Sequence, residues 1–125
     1  MIDLHTHTNY SDGTWSLKKL LEEAEKTNIE ILSITDHNTV NSYKELEKIN
    51  IKDIFKGKII PGVEFSTVFD GVMFHLLAYD FDYKKLNDFI SEYYENNKPN
   101  LNKEFDYMKE SCKKNNVKIG NIKYN

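Results

Sequence analysis

Apolar residues recur every three to four positions from Leu17 to Ala24, then close up into the compact run "EILSIT" at residues 30–35. The first spacing puts Leu17, Leu20, Leu21 and Ala24 on one face of a helix, with Ser16 placed to cap its first turn. The second reads as a buried strand. Upstream, "MIDLHTH" alternates apolar and polar residues in the manner of a short strand. Downstream, "SYKELEKINIKDIF" reads as a helical region and "KIIPGVEFSTVF" as a third strand, broken near Pro61–Gly62. Strand, helix, strand, helix, strand is the rhythm of a parallel sheet or barrel, because parallel neighbours need a crossover long enough to hold a helix. Asp70–Gly71 then marks a hairpin turn between two apolar runs.

The 125 residues suffice for one modest domain. Residues 1–82 carry the strands and the unusual polar residues. From about residue 83 the texture turns to Lys, Asn, Glu and Tyr, and 83–125 reads as a helical tail of the same domain. Two helical segments divided by "NNKPN" are expected there, with Leu101, Phe105 and Met108 as one apolar stripe. The net charge of -3 offers no general attraction to nucleic acid or to an anionic membrane. All 17 basic residues are lysines, so the usual bidentate clamp for phosphate is missing. One cysteine, Cys112, excludes an intrachain disulfide and makes a reducing compartment the default. No segment has the length of a membrane span, and Asp3 and His5 interrupt any signal-peptide core. A soluble, cytoplasmic protein is expected.

Polar residues of a particular kind collect at the strand ends. His5 and His7 close the first strand, and Asp12 lies in the loop beyond it. Asp36–His37 follows the second strand, Glu64 sits in the third, and His75 lies inside "VMFHLLAY", where a polar side chain needs a partner. Strand alternation puts residues i and i+2 on one face, so His5 and His7 point together and can share an ion. In a parallel β/α architecture the loops after successive strands gather at one rim, where ligand sites form. Imidazole with carboxylate suits Zn²⁺, Mn²⁺ or Fe²⁺, and a bridging carboxylate such as Glu64 suits a multinuclear centre. Taken singly, each residue has a plain explanation. A strand-end histidine is usually a surface or capping residue, "SDG" a turn, His75 a hydrogen-bonded core histidine and Asp36 a helix cap. The combination points to metal, because all four histidines fall within or beside predicted strands. Thr35, Asp36 and Ser66 stand next to these residues as candidates for hydrogen bonds that fix imidazole tautomers.

These motifs resemble the PHP family, named for polymerase and histidinol phosphatase. "DLHTHTNYSDG" resembles its first motif, "SITDHNT" its second, "PGVEFST" its third, and "FHLLAYDF" the histidine strand that follows. The resemblance covers roughly residues 1 to 82 and leans towards the stand-alone phosphoesterase branch. It implies an α/β fold, the N-terminal portion of a distorted (β/α)7 TIM-like barrel. It also implies up to three divalent metal ions (Mn, Zn or Fe), fewer in this chain. His5 and His7 would share one ion with Glu64, Asp12 and His37 would hold a second, and Glu64 with His75 would contribute to a third. The implied activity is hydrolysis of a small phosphate monoester or nucleotide, with a metal-bound hydroxide as nucleophile in place of a protein side chain. The expected partner is a small phosphorylated substrate, with no membrane and no stable nucleic-acid partner.

The family completes its site with a later histidine and an Asp-x-His pair, whereas this chain has no histidine after His75. A TIM-like barrel takes about 250 residues, and about 200 at the short end, so the barrel is expected to be incomplete here. A truncated PHP protein is the favoured expectation. The alternatives are a half-domain completed by an oligomer or a separate C-terminal half, and a degenerate module that binds metal without catalysis. A metal-dependent amidohydrolase shares the first-strand H-x-H but expects a metal-bridging lysine and later His and Asp ligands that have no counterpart here.

Overall fold

The computed structural model describes residues 1–116, without the side chains of 98–105, 107 and 108. Strand β1 (Ile2–Thr6) is followed by helix α1 (Leu17–Lys26), strand β2 (Ile31–Ile34) and helix α2 (Asn41–Leu46). A single 3-10 turn at Ile51–Asp53 leads to the short strand β3 (Lys58–Ile59), and β4 (Gly62–Phe69) and β5 (Val72–Tyr79) form a hairpin. Helix α3 runs from Tyr83 to Lys114. A first compact unit covers Met1–Ile90 and a second begins at Ser91. Among the described residues no helix is long and apolar enough to cross a membrane.

Helix α1 forms where its apolar period predicts it. Ser16 accepts a hydrogen bond from the Lys19 N–H, satisfying one of the free donors of the first turn. At the other end Asn28 adopts φ 56°, and the N–H groups of Asn28 and Ile29 return to the carbonyls of Glu25 and Ala24. That pattern satisfies the last carbonyls and turns the chain into β2. Leu17, Leu20, Leu21 and Ala24 are all buried, and each leucine contributes roughly 1.5–3 kcal/mol by leaving water. They pack with Leu32 and Ile34 of β2, with Val40, Tyr43 and Leu46 around α2, and with Phe55 and Val63.

The parallel sheet has the three strands that the sequence rhythm predicts, but its third is short. Its order is β1-β2-β3, with both pairs parallel. "KIIPGVEFSTVF" is not one interrupted strand: β3 joins the parallel sheet, whereas β4 pairs antiparallel with β5 in a separate sheet. Pro61 has no N–H to give a ladder. Gly62 passes so close to β2 that an added Cβ would lie 2.1 Å from Ser33 Oγ. The chain therefore leaves the β3 line there and crosses the end of β2. Contact with the parallel sheet survives at an isolated parallel bridge between His37 and Glu64. The hairpin turn falls at Asp70–Gly71, where both residues have positive φ as a two-residue turn of this hand demands. Its distal part leaves Val68, Phe69, Val72 and Met73 exposed.

Helix α2 ends sooner than "SYKELEKINIKDIF" suggests, and a 3-10 turn takes up the remainder. In the tail, α3 passes Pro99 as one helix where two segments were expected. A proline inside a helix costs about 3 kcal/mol or more through one lost donor and a crowded carbonyl. The helix-forming Glu, Lys and Leu residues on both sides let the hydrogen-bond ladder resume. The proposed stripe of Leu101, Phe105 and Met108 lies outside the described side chains.

One buried hydroxyl fastens β4 to β2. Tyr43 Oη accepts from the N–H groups of Ile34 (3.2 Å) and Gly62 (2.8 Å) and donates to the Ile34 carbonyl (2.6 Å). Burial pushes the Tyr43 phenol up, only partly opposed by these bonds. Tyr43→Phe leaves backbone groups of Ile34 and Gly62 without this partner, so it should lower stability by about 1–3 kcal/mol. Urea unfolding of the two proteins at neutral pH measures the difference.

Candidate metal centre

Four imidazoles from three separate parts of the chain converge on one buried carboxylate. Glu64, in the first half of β4, is 5% exposed. Its Oε2 lies 2.9 Å from His5 Nε2, 3.1 Å from His7 Nε2 and 3.7 Å from His37 Nε2, and its Oε1 lies 2.9 Å from His75 Nδ1. His37 reaches Glu64 because it follows β2 at the point of the parallel bridge, where Glu64 N–H donates to the Asp36 carbonyl. His75 arrives from β5, where it faces Ser66, two residues along β4 from Glu64. His5 and His7 come from the end of β1, which carries a register shift between Asp3 and Thr6. The rings touch in sequence: His7 stacks on His37 with centroids 4.6 Å apart, and His5 and His75 meet that pair edge-on.

Asp12 joins from the loop after β1. Its carboxylate is 3.5 Å from His7 Nδ1 and 3.2 Å from His37 Nε2, while its side chain is 67% exposed. Three groups of possible ligand atoms result: His5, His7 and Glu64; His7, Asp12 and His37; and His37, Glu64 and His75. Within each group the atoms lie within 4.8 Å of one another. Two donors bonded to one zinc-sized ion at about 2.0–2.2 Å stand about 3.3 Å apart in tetrahedral geometry. Buried His7 Nδ1 has no hydrogen-bond partner, and His7 has a carboxylate oxygen on each side of its ring. A neutral imidazole can donate from only one nitrogen, so a cation between ring and carboxylate fits this arrangement where a proton cannot serve every pair. The donor set suits divalent metal.

Burial alone would raise the Glu64 carboxyl, but hydrogen bonds from His5 and His75 and the charges of His37 and His5 outweigh it. The group is held below the usual carboxylate range.

The three neighbouring residues take partners other than the imidazoles. Thr35 Oγ1 donates to the Thr6 carbonyl, tying β2 to β1. Asp36 accepts from Thr8, Ser11 and Ser42. The Ser66 N–H donates to Asn38 Oδ1. These bonds run to backbone, hydroxyl and side-chain amide partners in or next to the segments that carry the ligands. Sequence reasoning passed over Thr8, Ser11, Ser42, Asn38 and Tyr43, which make bonds of the same kind. Only Asn38 carried a signal, since asparagine tolerates the left-handed conformation it adopts here (φ 55°). A groove of about 690 Å³, lined by Glu30, Lys52 and Lys58, opens at the opposite ends of β2 and β3 and contains no histidine.

A small α/β unit with imidazoles and carboxylates gathered at strand ends is a metal-site scaffold by its geometry. The PHP domain family model matches residues 3–121, and the chain belongs to that family. The 5'-3' exoribonuclease Rnm of Salmonella typhimurium is 30% identical over 92 residues, covering 72% of this chain and 31% of the relative. The 5'-3' exoribonuclease of Haemophilus influenzae is 35% identical over 80 residues, covering 64% of this chain and 28% of the relative. Among solved structures, a protein of Bifidobacterium adolescentis provisionally assigned as a metal-dependent phosphoesterase superposes with a TM-score of 0.61 at 27% identity. That match covers 72% of this chain and 32% of the other. An amidohydrolase of Chromobacterium violaceum with sulfate bound gives a TM-score of 0.63 at 22% identity over 73% of this chain and 32% of that one, a likeness of fold alone. The chain spans about a third of the length of these proteins.

A carboxyl whose pKa is lowered by folding stabilises the fold above its ordinary value, and that stabilisation is lost as pH falls through the lowered value. In metal-free protein, the stability difference between wild type and Glu64→Gln should therefore hold near neutrality and change in favour of the variant below about pH 4.5. Urea unfolding from pH 7 to pH 3 tests this; a pH-independent difference would show that the imidazoles do not act on Glu64 this way.

Proposed function

We propose that this chain carries the ligand-bearing part of a metal-dependent phosphoesterase acting on a small phosphate monoester or a nucleotide. The observation that carries the reading is Glu64, with four imidazole nitrogens around its two oxygens. A buried carboxylate in that position serves more than one cation. His5, His7, Asp12, His37, Glu64 and His75 are the residues we assign to hold divalent metal, manganese, zinc or iron by the chemistry of the donors.

A divalent ion bound there supplies positive charge for phosphate oxygens and lowers the pKa of a water it coordinates. The chain's own contribution is to fix the donors and keep them close. Glu64 is held on β4 between the ends of β1 and β2, His7 is gripped between two carboxylates, and His5 and His75 stand at the exposed margin where a phosphate can approach. The 125 residues include no arginine, so within them lysines or the metals are the groups able to neutralise that phosphate. The names of the exoribonuclease relatives support a nucleotide-type phosphoester. The (β/α)7-type barrel of the family, represented here by its first strands, fits the small parallel sheet and the strand-end position of the ligands.

The second reading is a module that binds metal without turnover, or that needs an oligomer or a further half to complete the site. It is favoured by one observation, that the chain covers about a third of its relatives. The deciding experiment uses protein purified without chelator and loaded with Mn²⁺ or Zn²⁺. Metal-dependent hydrolysis of p-nitrophenyl phosphate or nucleotides, lost with chelator and lost in His7→Ala, establishes the first reading. Stoichiometric metal with no turnover and a concentration-dependent oligomer establishes the second. Glu64→Gln should lower metal content per chain more than His75→Ala does, because Glu64 belongs to two ligand groups and His75 to one; elemental analysis of both variants gives the comparison.

A further inference from the structure

Asp36 belongs to none of the three ligand groups, yet it is among the most buried polar residues, at 1% exposed. Its Oδ1 accepts from the Thr8 N–H (2.7 Å) and the Ser11 hydroxyl (2.8 Å), and its Oδ2 accepts from the hydroxyls of Thr8 (2.7 Å) and Ser42 (2.5 Å). A carboxylate has about four lone-pair sites, and here four donors meet them. Three come from one loop, the segment between His7 and Asp12, and the fourth comes from α2. Thr8 is itself fully buried, and its carbonyl accepts from the N–H groups of Ser11 and Gly13. Both neighbours of Asp12 in the chain are thus fastened to the Thr8–Asp36 pair.

Asp12 has no comparable anchor. Its side chain is largely exposed, and the only contacts described for its carboxylate are with His7 and His37. Where that carboxylate stands is set by the backbone on either side of it. Asp36 also binds the other partners of the site through its own backbone: its carbonyl accepts from the Glu64 N–H (3.2 Å), and His37 is the next residue. One residue therefore links Glu64 and His37 by its main chain and the Asp12 loop by its side chain.

We propose that Asp36 is a positioning residue for Asp12, holding the Thr8–Gly13 loop so that the Asp12 carboxylate stays within reach of His7 and His37. The proposal rests on the metal reading above for its consequence, which is selective support of the ion held by His7, Asp12 and His37. A buried carboxylate placed only to fill space would carry a desolvation cost with nothing to offset it. The four donors that meet the lone pairs of Asp36 are the compensation visible here.

The test is a double-mutant cycle on metal binding, with Co²⁺ absorption and elemental analysis as readouts. Wild type, Asp12→Ala, Asp36→Ala and the double variant are titrated in turn. Asp36→Ala should weaken one metal-binding step by about 10- to 100-fold and leave the remaining steps unchanged. In the double variant it should add nothing to the effect of Asp12→Ala. Additive losses, or weakening spread equally over all steps, would overturn the proposal. Ser11→Ala, which cuts one outer hydrogen bond and leaves the buried ones, should show a smaller effect on the same step and serves if Asp36→Ala does not fold. Amide exchange on metal-free protein separates this proposal from the metal reading. The Ser11 and Gly13 amides should exchange about tenfold faster in Asp36→Ala or Ser11→Ala, while those of β2 stay as in wild type. Unchanged loop exchange defeats the positioning role whatever the metal content, whereas faster loop exchange in a protein that binds no metal defeats only the metal reading.

Discussion

The carboxylate of Glu64 is the point on which the site depends. It is buried, and it is surrounded by nitrogen atoms that come from β1, from the end of β2 and from β5. Burying one carboxylate is unfavourable unless its lone pairs are met, and here His5 and His75 hydrogen-bond to it while His7 and His37 stand close by. The same side chain that needs four partners also draws them into a cluster with the spacing of metal ligands. Removing it would leave His5, His7, His37 and His75 with no common neighbour.

Beside its pairing with β5, Glu64 is held in that position by backbone and hydroxyl hydrogen bonds at the end of β2. The Tyr43 phenol stitches Ile34 to Gly62, the Asp36 carbonyl takes the Glu64 N–H, and the Glu64 carbonyl takes the Asn38 N–H at 2.9 Å. These bonds are buried or partly buried, where water competes poorly for the same donors. They explain how a two-stranded hairpin outside the parallel sheet can still present its carboxylate to histidines that the parallel sheet carries. The apolar packing of α1 and α2 onto β2 supplies the stability, and the polar ties at the strand end supply the register.

Membership of the PHP family gives this arrangement a context without making the chain equivalent to its relatives. The chain spans about a third of the length of the relatives it matches. What the described residues hold is a set of six candidate ligands brought together by contacts between separate elements. The contacts among them lie between β1 with the loop after it, the end of β2 and the β4–β5 hairpin.

The sequence by itself determined the helix at Leu17–Lys26, the strands around it, the hairpin turn at Asp70–Gly71 and the six residues that cluster. Each of these leaves a local mark: a period of apolar residues, a capping serine, a turn dipeptide, or a histidine where a strand should end. The separation of β3 from β4 left only the weaker mark of Pro61–Gly62, since a one-dimensional pattern cannot tell a kink from a change of sheet. Continuity of α3 through Pro99 was likewise illegible, because a local rule about proline competes with the propensities of the residues around it. Only tertiary structure decided that Asp36 accepts hydrogen bonds from Thr8 and Ser11, and that Glu64 stands among all four histidines. Hydrogen bonds between residues 28 or 59 positions apart depend on how the elements pack, and packing is set by the whole chain's burial, which no short stretch of sequence records.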